Sequence, residues 1–319
     1  MKELICEVRR GGRVESIHRV SLIALQDGRS ALLRGRVDDP VFMRSCAKPF
    51  QCLSVVESGA ADAYGFTGEE IAVIAGSHLA DPDHLRAVSS ILKKAKLNLS
   101  SLQCGAHPPS GSRGLRDQIR SGKEPTALHN NCSGKHSGML AACRFSGFPM
   151  DTYLKPSHPL QKANLRNLAR FADVKPSSIP IGVDGCSAPT FALPLRAMAR
   201  AIATFVEAQG TPRRVRDAMM NHPLMVGRPC ASLMKSAPGR LLGKCGAEGV
   251  YVCGLPGRKA AIALKVEDGS ARPWVPVLTA VLKKLGWLEK EDLQRLGRLV
   301  DPVLKNHAGL RVGEVRVVL

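Results

Sequence analysis

The stretch "GVYVCGLPGRKAAIALKVEDG", residues 249–269, decides the fold. Two runs of β-branched and apolar residues flank Pro256-Gly257, the pattern of an antiparallel hairpin. Strand periodicity puts Ile262, Leu264 and Val266 on one face and Ala261, Ala263, Lys265 and Glu267 on the other. The second face sets two small residues ahead of a lysine. It leaves room for a ligand beside a cation, and a solvated strand would look similar.

Working outward, residues 3–36 carry apolar and β-branched runs broken by "RRGGR" (9–13) and "QDGRS" (26–30), an antiparallel meander. "GLRVGEVRVVL" (309–319) reads as a closing strand. Between these ends the spacing predicts helices over 48–58, 68–76, 82–94, 138–145, 159–172 and 193–209. A further helix opens in "GTPRRVRDAMM", a short strand lies in "SIPIGVD", and a helix pair covers 275–286 and 290–299. Asp81 is the expected cap of the helix that begins at Pro82. The expected fold class is α/β, more closely α+β: an antiparallel sheet of N- and C-terminal strands covered by helices, in one domain over residues 1–319.

Composition narrows the function. Apolar residues make 44% of the 319 and charged ones 23%, the balance of a globular protein. No run approaches the roughly 20 apolar residues of a membrane helix, and the N-terminus lacks a signal-peptide core, so a cytoplasmic location is expected. Ten cysteines without an export signal read mostly as reduced, buried thiols. The net charge of +19 raises nucleic acid as a partner. Against it, the basic residues are scattered and aromatics are only 4%, too few for base stacking.

Three segments could carry chemistry. "RSCAKPF" (44–50) sets Ser45 three residues before Lys48, one face of a helical turn, where an amine of lowered pKa can take a hydroxyl proton. Pro49 restricts Ser45 to the helix start, where free N–H groups can hold an oxyanion. "IAGSHLADPDH" (74–84) offers Ser77 and His78, at a pocket mouth or merely at a helix end. In "HNNCSGKHSGML" (129–140), Cys132 and His136 are four apart, as two metal ligands on one turn would be, and Cys186 in "VDGCSAPTFALPL" (183–195) could add a third. The alternative is a helix capped by Asn130 and Asn131, with Gly134 for close packing. Asp184 could orient an amine or hold an Asx-turn.

Taken in order, "RSCAKPFQ", "HNNCSGKHSGML", "VDGCSAPTFALPL", "GAEGVY" and "IALKVEDG" resemble the rhizobial-type L-asparaginase II family, and the likeness runs to "NHAGLRVGEV" (306–315). The resemblance implies a fold similar to serine β-lactamases and penicillin-binding proteins, and hydrolysis of L-asparagine to L-aspartate and ammonia by a homodimer. It implies one serine-lysine pair at Ser45 and Lys48, and another at Ser77 with a distant lysine, matched to Lys265 with Lys259 and Lys244 as competitors. It also implies a zinc site on Cys132, Lys135 and Cys186, with substrate contacts from Arg44, His78, Asn131, His136 and Asp184. Which serine is acylated stays open. A related hydrolase acting on glutamine, a lactam or a peptide is the nearest alternative, and a basic nucleic-acid-binding protein the more distant one.

Overall fold

The computed structural model describes residues 2–299 and 302–319. The chain opens with strands β1 (Leu4–Arg10), β2 (Arg13–Gln26), β3 (Arg29–Arg34) and β4 (Pro40–Phe42), then a 3₁₀ turn, Arg44–Ala47, that runs into helix α1 (Lys48–Glu57). Helices α2 (Ala60–Ala63), α3 (Gly68–Ile74), α4 (Pro82–Lys94), α5 (Ser112–Ser121), α6 (Ser133–Phe145) and α7 (Pro159–Ala172) follow. Strands β5 (Ile181–Val183) and β6 (Pro189–Pro194) lead to α8 (Leu195–Glu207), α9 (Thr211–Asn221), α10 (Pro223–Val226) and α11 (Cys230–Ser236). Strands β7 (Leu242–Gly246), β8 (Val250–Leu255) and β9 (Ala260–Val266) precede α12 (Trp274–Lys284), α13 (Lys290–Leu296), β10 (Val303–Lys305) and β11 (Arg311–Val318).

The main sheet has the order β10-β11-β1-β2-β9-β8-β7, with β3 also paired to β2, and every pairing is antiparallel. Its two halves join where β2 meets β9, from Val20↔Val266 to Gln26↔Ala260. N- and C-terminal strands thus share one sheet, as the hairpin and the meander predicted. A small second sheet, β4-β6-β5, lies apart from it.

Both faces of β9 are buried, which alters the reading of its second face. Ala261 pairs with Gly254, so the two point to one side. A Cβ on Gly254 would meet Val206 and Ile202 of α8 at 2.6 and 2.7 Å. The room left by the small residues is therefore filled by α8 and not by a ligand, and burying the aliphatic face of that helix stabilises the sheet.

Other expectations shift. The helix expected from 138 begins at Ser133, and Gly134, expected to allow close packing, is with Gly138 a contact point for α3. The segment 193–209 divides into the end of β6 and α8, since Pro194 forms the helix boundary. Asp81 precedes α4, but its carboxylate accepts from the Gly114 N–H of α5 (2.8 Å) and does not cap its own helix. Strand β7 and helices α5 and α10 were not among the expected elements.

Candidate active site

The centre of the site is the Ser77 hydroxyl. Lys48 Nζ lies 2.9 Å from Ser77 Oγ and Lys244 Nζ lies 3.0 Å from it on another side. Both amines are buried, each about 1% exposed, whereas Ser77 is only half-buried. Lys48 comes from the first position of α1, Ser77 from the loop after α3, and Lys244 from the middle of β7. Local packing holds the loop: the Ser77 N–H donates to Val226 O (2.9 Å), and the chain at Gly227 runs so close that a Cβ there would meet Ser77 O at 2.1 Å.

The remaining contacts of Lys48 orient its amine. Nζ also donates to the carbonyls of Gly76 (2.7 Å) and Asn131 (3.3 Å). Carbonyls only accept, so a neutral Lys48 spends its two N–H groups on them and turns its lone pair to the Ser77 O–H. Burial holds the Lys48 amine below its ordinary range, and the nearby cations Lys244 and Lys135 press the same way against Cys132. For Lys244, burial alone would lower the pKa, but Cys245, Cys230 and Cys46 hold it above the ordinary value. The arrangement is an ammonium and a poised base on one hydroxyl.

Lys265 is elsewhere. Its amine donates to Glu248 O (2.6 Å) and Val266 O (2.7 Å), and it has no hydrogen bond to Ser77. Lys259 sits in a turn beside a separate cavity lined by Leu25, Arg196 and Glu207. The lysine that the fold brings to Ser77 from a distance is Lys244. "GKCGAEG" carried the signal only as a lysine ahead of a turn, and its strand was not recognised.

Ser45 lies half-buried in the 3₁₀ turn with no side-chain hydrogen-bond partner among the described residues. Lys48 faces Ser77 in its place. Beside Ser45, Arg44 Nε donates to Asp184 Oδ1 (2.7 Å), and its other end is 3.8 Å from Glu248 Oε1. Asp184 also accepts from the Gly185 N–H (2.8 Å). Burial would raise its pKa, but Lys135 and Arg44 hold the carboxyl below the usual range. Arg44, Ser187 and Glu248 hold left-handed backbone conformations, at φ 49°, 66° and 60°, so backbone strain gathers around this ion pair.

Cys132, Lys135 and Cys186 converge as the family likeness implied. All three are buried; Lys135 Nζ is 3.1 Å from Cys186 Sγ, and the two thiols contact one another. That contact, with Lys48 and Lys135 nearby, holds Cys132 well below the ordinary thiol range and makes it the thiolate of the pair. Burial alone would lower Lys135, but the two sulfurs hold it up as their counter-ion. No group of three His, Cys, Asp or Glu side chains is placed to hold a metal among the described residues, so the set becomes three only through the lysine amine.

Two histidines serve the scaffold. His78 Nδ1 accepts from the Ala80 N–H (3.1 Å), so Nε2 donates to Ser133 Oγ (2.8 Å). Both nitrogens are spent, the ring is 1% exposed, and burial holds it neutral. His136 is fully buried with Nδ1 on the Tyr153 hydroxyl (2.7 Å). Both rings, expected to contact substrate, are enclosed by the protein in this structure. Asn131 is half-buried; its carbonyl accepts from Lys48 and its side-chain amide lies 3.1 Å from Cys132 Sγ, so it links the amine to the thiols.

The sequence assigns the class: an amidohydrolase, which cleaves carboxamides. The chain belongs to the L-asparaginase II family, whose model matches residues 6–317. No curated protein matches the chain. Among solved structures, Mglu is similar at 12% identity and a TM-score of 0.46, over 84% of this chain and 67% of its own. A β-lactamase from Mycobacterium bovis is 13% identical, with a TM-score of 0.43 over 83% of this chain and 94% of that one. A β-lactamase from Sulfitobacter sp. EE-36 is 14% identical, with a TM-score of 0.35 over 94% and 91%. No helix among the described residues is long and apolar enough to cross a membrane.

Proposed function

We propose that the protein hydrolyses L-asparagine to L-aspartate and ammonia, with Ser77 as the nucleophile and Lys48 as its base. The observation that carries this reading is the Ser77 hydroxyl between a base-forming amine at 2.9 Å and an ammonium at 3.0 Å. Lys48 takes the hydroxyl proton as oxygen attacks the side-chain amide carbon, and the Lys244 charge stabilises the anionic oxygen. The proton on Lys48 passes to the leaving nitrogen, and ammonia departs. Water then adds to the β-aspartyl ester, Lys48 again takes the proton, and Ser77 is released. Arg44 and Asp184, a paired cation and anion beside Ser45, match the α-carboxylate and α-ammonium of an amino acid.

A second reading acylates Ser45 and uses Ser77 to relay the proton. It is favoured by the half-buried Ser45 hydroxyl, free of protein partners among the described residues. Ammonia release should be seen with asparagine and be at least tenfold slower with glutamine, a difference of about 1.4 kcal/mol in barrier. No ammonia from asparagine, or equal rates with asparagine and an unrelated amide, overturns the assignment. Trapping the ester and mapping it by mass spectrometry assigns it to Ser77 or Ser45.

We further propose that Cys132, Lys135 and Cys186 hold zinc. Two thiols and an amine form a donor set suited to that ion, provided Lys135 gives up its proton on binding. A bound zinc ion supplies a fixed positive charge beside the pocket. The wild-type protein should retain one equivalent of zinc through dialysis, read by elemental analysis, and Cys132→Ser or Cys186→Ser should lose it. Retention of the metal by both variants removes the site.

A further inference from the structure

Lys244 is followed on β7 by Cys245, and α11 begins with Cys230 directly beside it. The Cys245 backbone N–H donates to Cys230 Sγ at 3.1 Å, and the two thiols also contact one another. Cys245 is half-buried and Cys230 fully buried, so a small solute meets Cys245 first. Lys244 connects the pair to the site: its amine donates both to Cys245 O (2.7 Å) and to Ser77 Oγ (3.0 Å). β7 is the edge of the main sheet, with β8 as its one strand partner among the described residues, and it packs directly on α11.

We propose that Cys230 and Cys245 are a modification site for hydroperoxides, which convert the two thiols into a disulfide beside Lys244. This site adds to the amide hydrolysis proposed above and does not depend on the identity of the amide. The Cys245 sulfur attacks one peroxide oxygen, the O–O bond breaks, one water leaves, and Cys245 becomes a sulfenic acid. The Cys230 sulfur then attacks the Cys245 sulfur, the S–O bond breaks, and the second water leaves. Two thiols lose two electrons and two protons in all, and one hydrogen peroxide becomes two waters.

The acidities agree with that order of events. Contact with Cys230, helped by the charges of Lys244 and Lys48, brings the Cys245 thiol down to about 6. Burial pushes Cys46, Cys52, Cys143, Cys230 and Cys253 the other way. Closing the bond would pull β7 toward α11 and displace the Lys244 amine from Ser77, which a geometric shift of this kind turns into a loss of about tenfold or more in turnover.

The test treats the wild-type protein, Cys230→Ala and Cys245→Ala with hydrogen peroxide, alkylates the free thiols, and maps peptides by mass spectrometry. The expected result is a Cys230–Cys245 cross-linked peptide in the wild type, released by dithiothreitol and missing from both variants. In Cys230→Ala, Cys245 should accumulate sulfenic or sulfinic acid. The proposal is overturned if wild-type Cys230 and Cys245 are both recovered alkylated, or if Cys245 over-oxidises while Cys230 stays free. Because the mapping reads sulfur and not turnover, it stands even if asparagine proves not to be the substrate. Where turnover is present, oxidation should lower it and reductant restore it in the wild type, and Cys245→Ala should respond less.

Discussion

Two amines reach Ser77, yet they cannot have the same task. Burial holds the Lys48 amine low and the neighbouring sulfurs hold the Lys244 amine high, so the proposed mechanism uses Lys48 as the neutral base and Lys244 as the charge. Lys244→Ala should therefore cut turnover by about a hundredfold or more, as loss of an electrostatic partner does. Lys265→Ala should stay within about threefold of wild type, in the range of a residue outside the reacting set. Steady-state ammonia assays on the two variants check this, and a larger loss at Lys265 refutes the assignment. The pH profile has a definite sign: kcat/KM rises as pH rises through the lowered pKa of Lys48, below the ordinary lysine value of about 10.4. It falls only where Lys244 deprotonates, above the ordinary range. A profile that falls across neutral pH would contradict a lysine base.

At the scale of elements, the site depends on how closely α6 approaches α3. A Cβ on Gly134 would stand 2.5 Å from Val73 O, and one on Gly138 would stand 2.9 Å from the Ile74 side chain. The first obstacle is backbone and cannot rotate away. Gly134→Ala should cost about 1–3 kcal/mol of stability through overpacking, visible as a lower denaturation midpoint. It should also slow turnover, because the turn before α6 carries the Asn131 carbonyl that receives Lys48. An unchanged midpoint would mean that the helices separate at no cost. The glycines were legible as a packing device; the length of α6 was not, because polar residues that read as a loop are buried against the thiol pair and His78.

The whole molecule assembles its pocket from the 3₁₀ turn and α1, the loop after α3, the start of α6, the loop after β5, and β7. One scaffold residue links this assembly to pH. His78 is neutral in the fold, so its pKa is depressed below the unfolded value of about 6.5. Its contribution is complete above that value, where neither state binds the proton, and is lost as pH falls below it because only the unfolded chain takes it up. Stability should decline by up to about 1.4 kcal/mol per pH unit from this residue, between pH 6.5 and its depressed folded pKa. Urea titrations at pH 7.5 and 5.5 measure it, and His78→Asn should flatten that difference; an equal slope in the variant would assign the decline to other groups.

Local information determined a great deal. Alternating apolar runs and Gly-rich turns marked the meander, the β8–β9 hairpin and the closing strand, and "SCAK" placed Ser45 and Lys48 at a helix start, because periodicity, turn chemistry and proline restrictions act within a few residues. The ordered motifs marked Cys132, Lys135 and Cys186, and the family likeness they carry implied Ser77. Tertiary structure alone decided that Lys244 and not Lys265 meets Ser77, that His78 and His136 turn inward, and that Cys230 lies against Cys245. Those outcomes depend on which edge of the sheet packs on the 3₁₀ turn and on α11, a contact between segments far apart in sequence that no short-range pattern encodes.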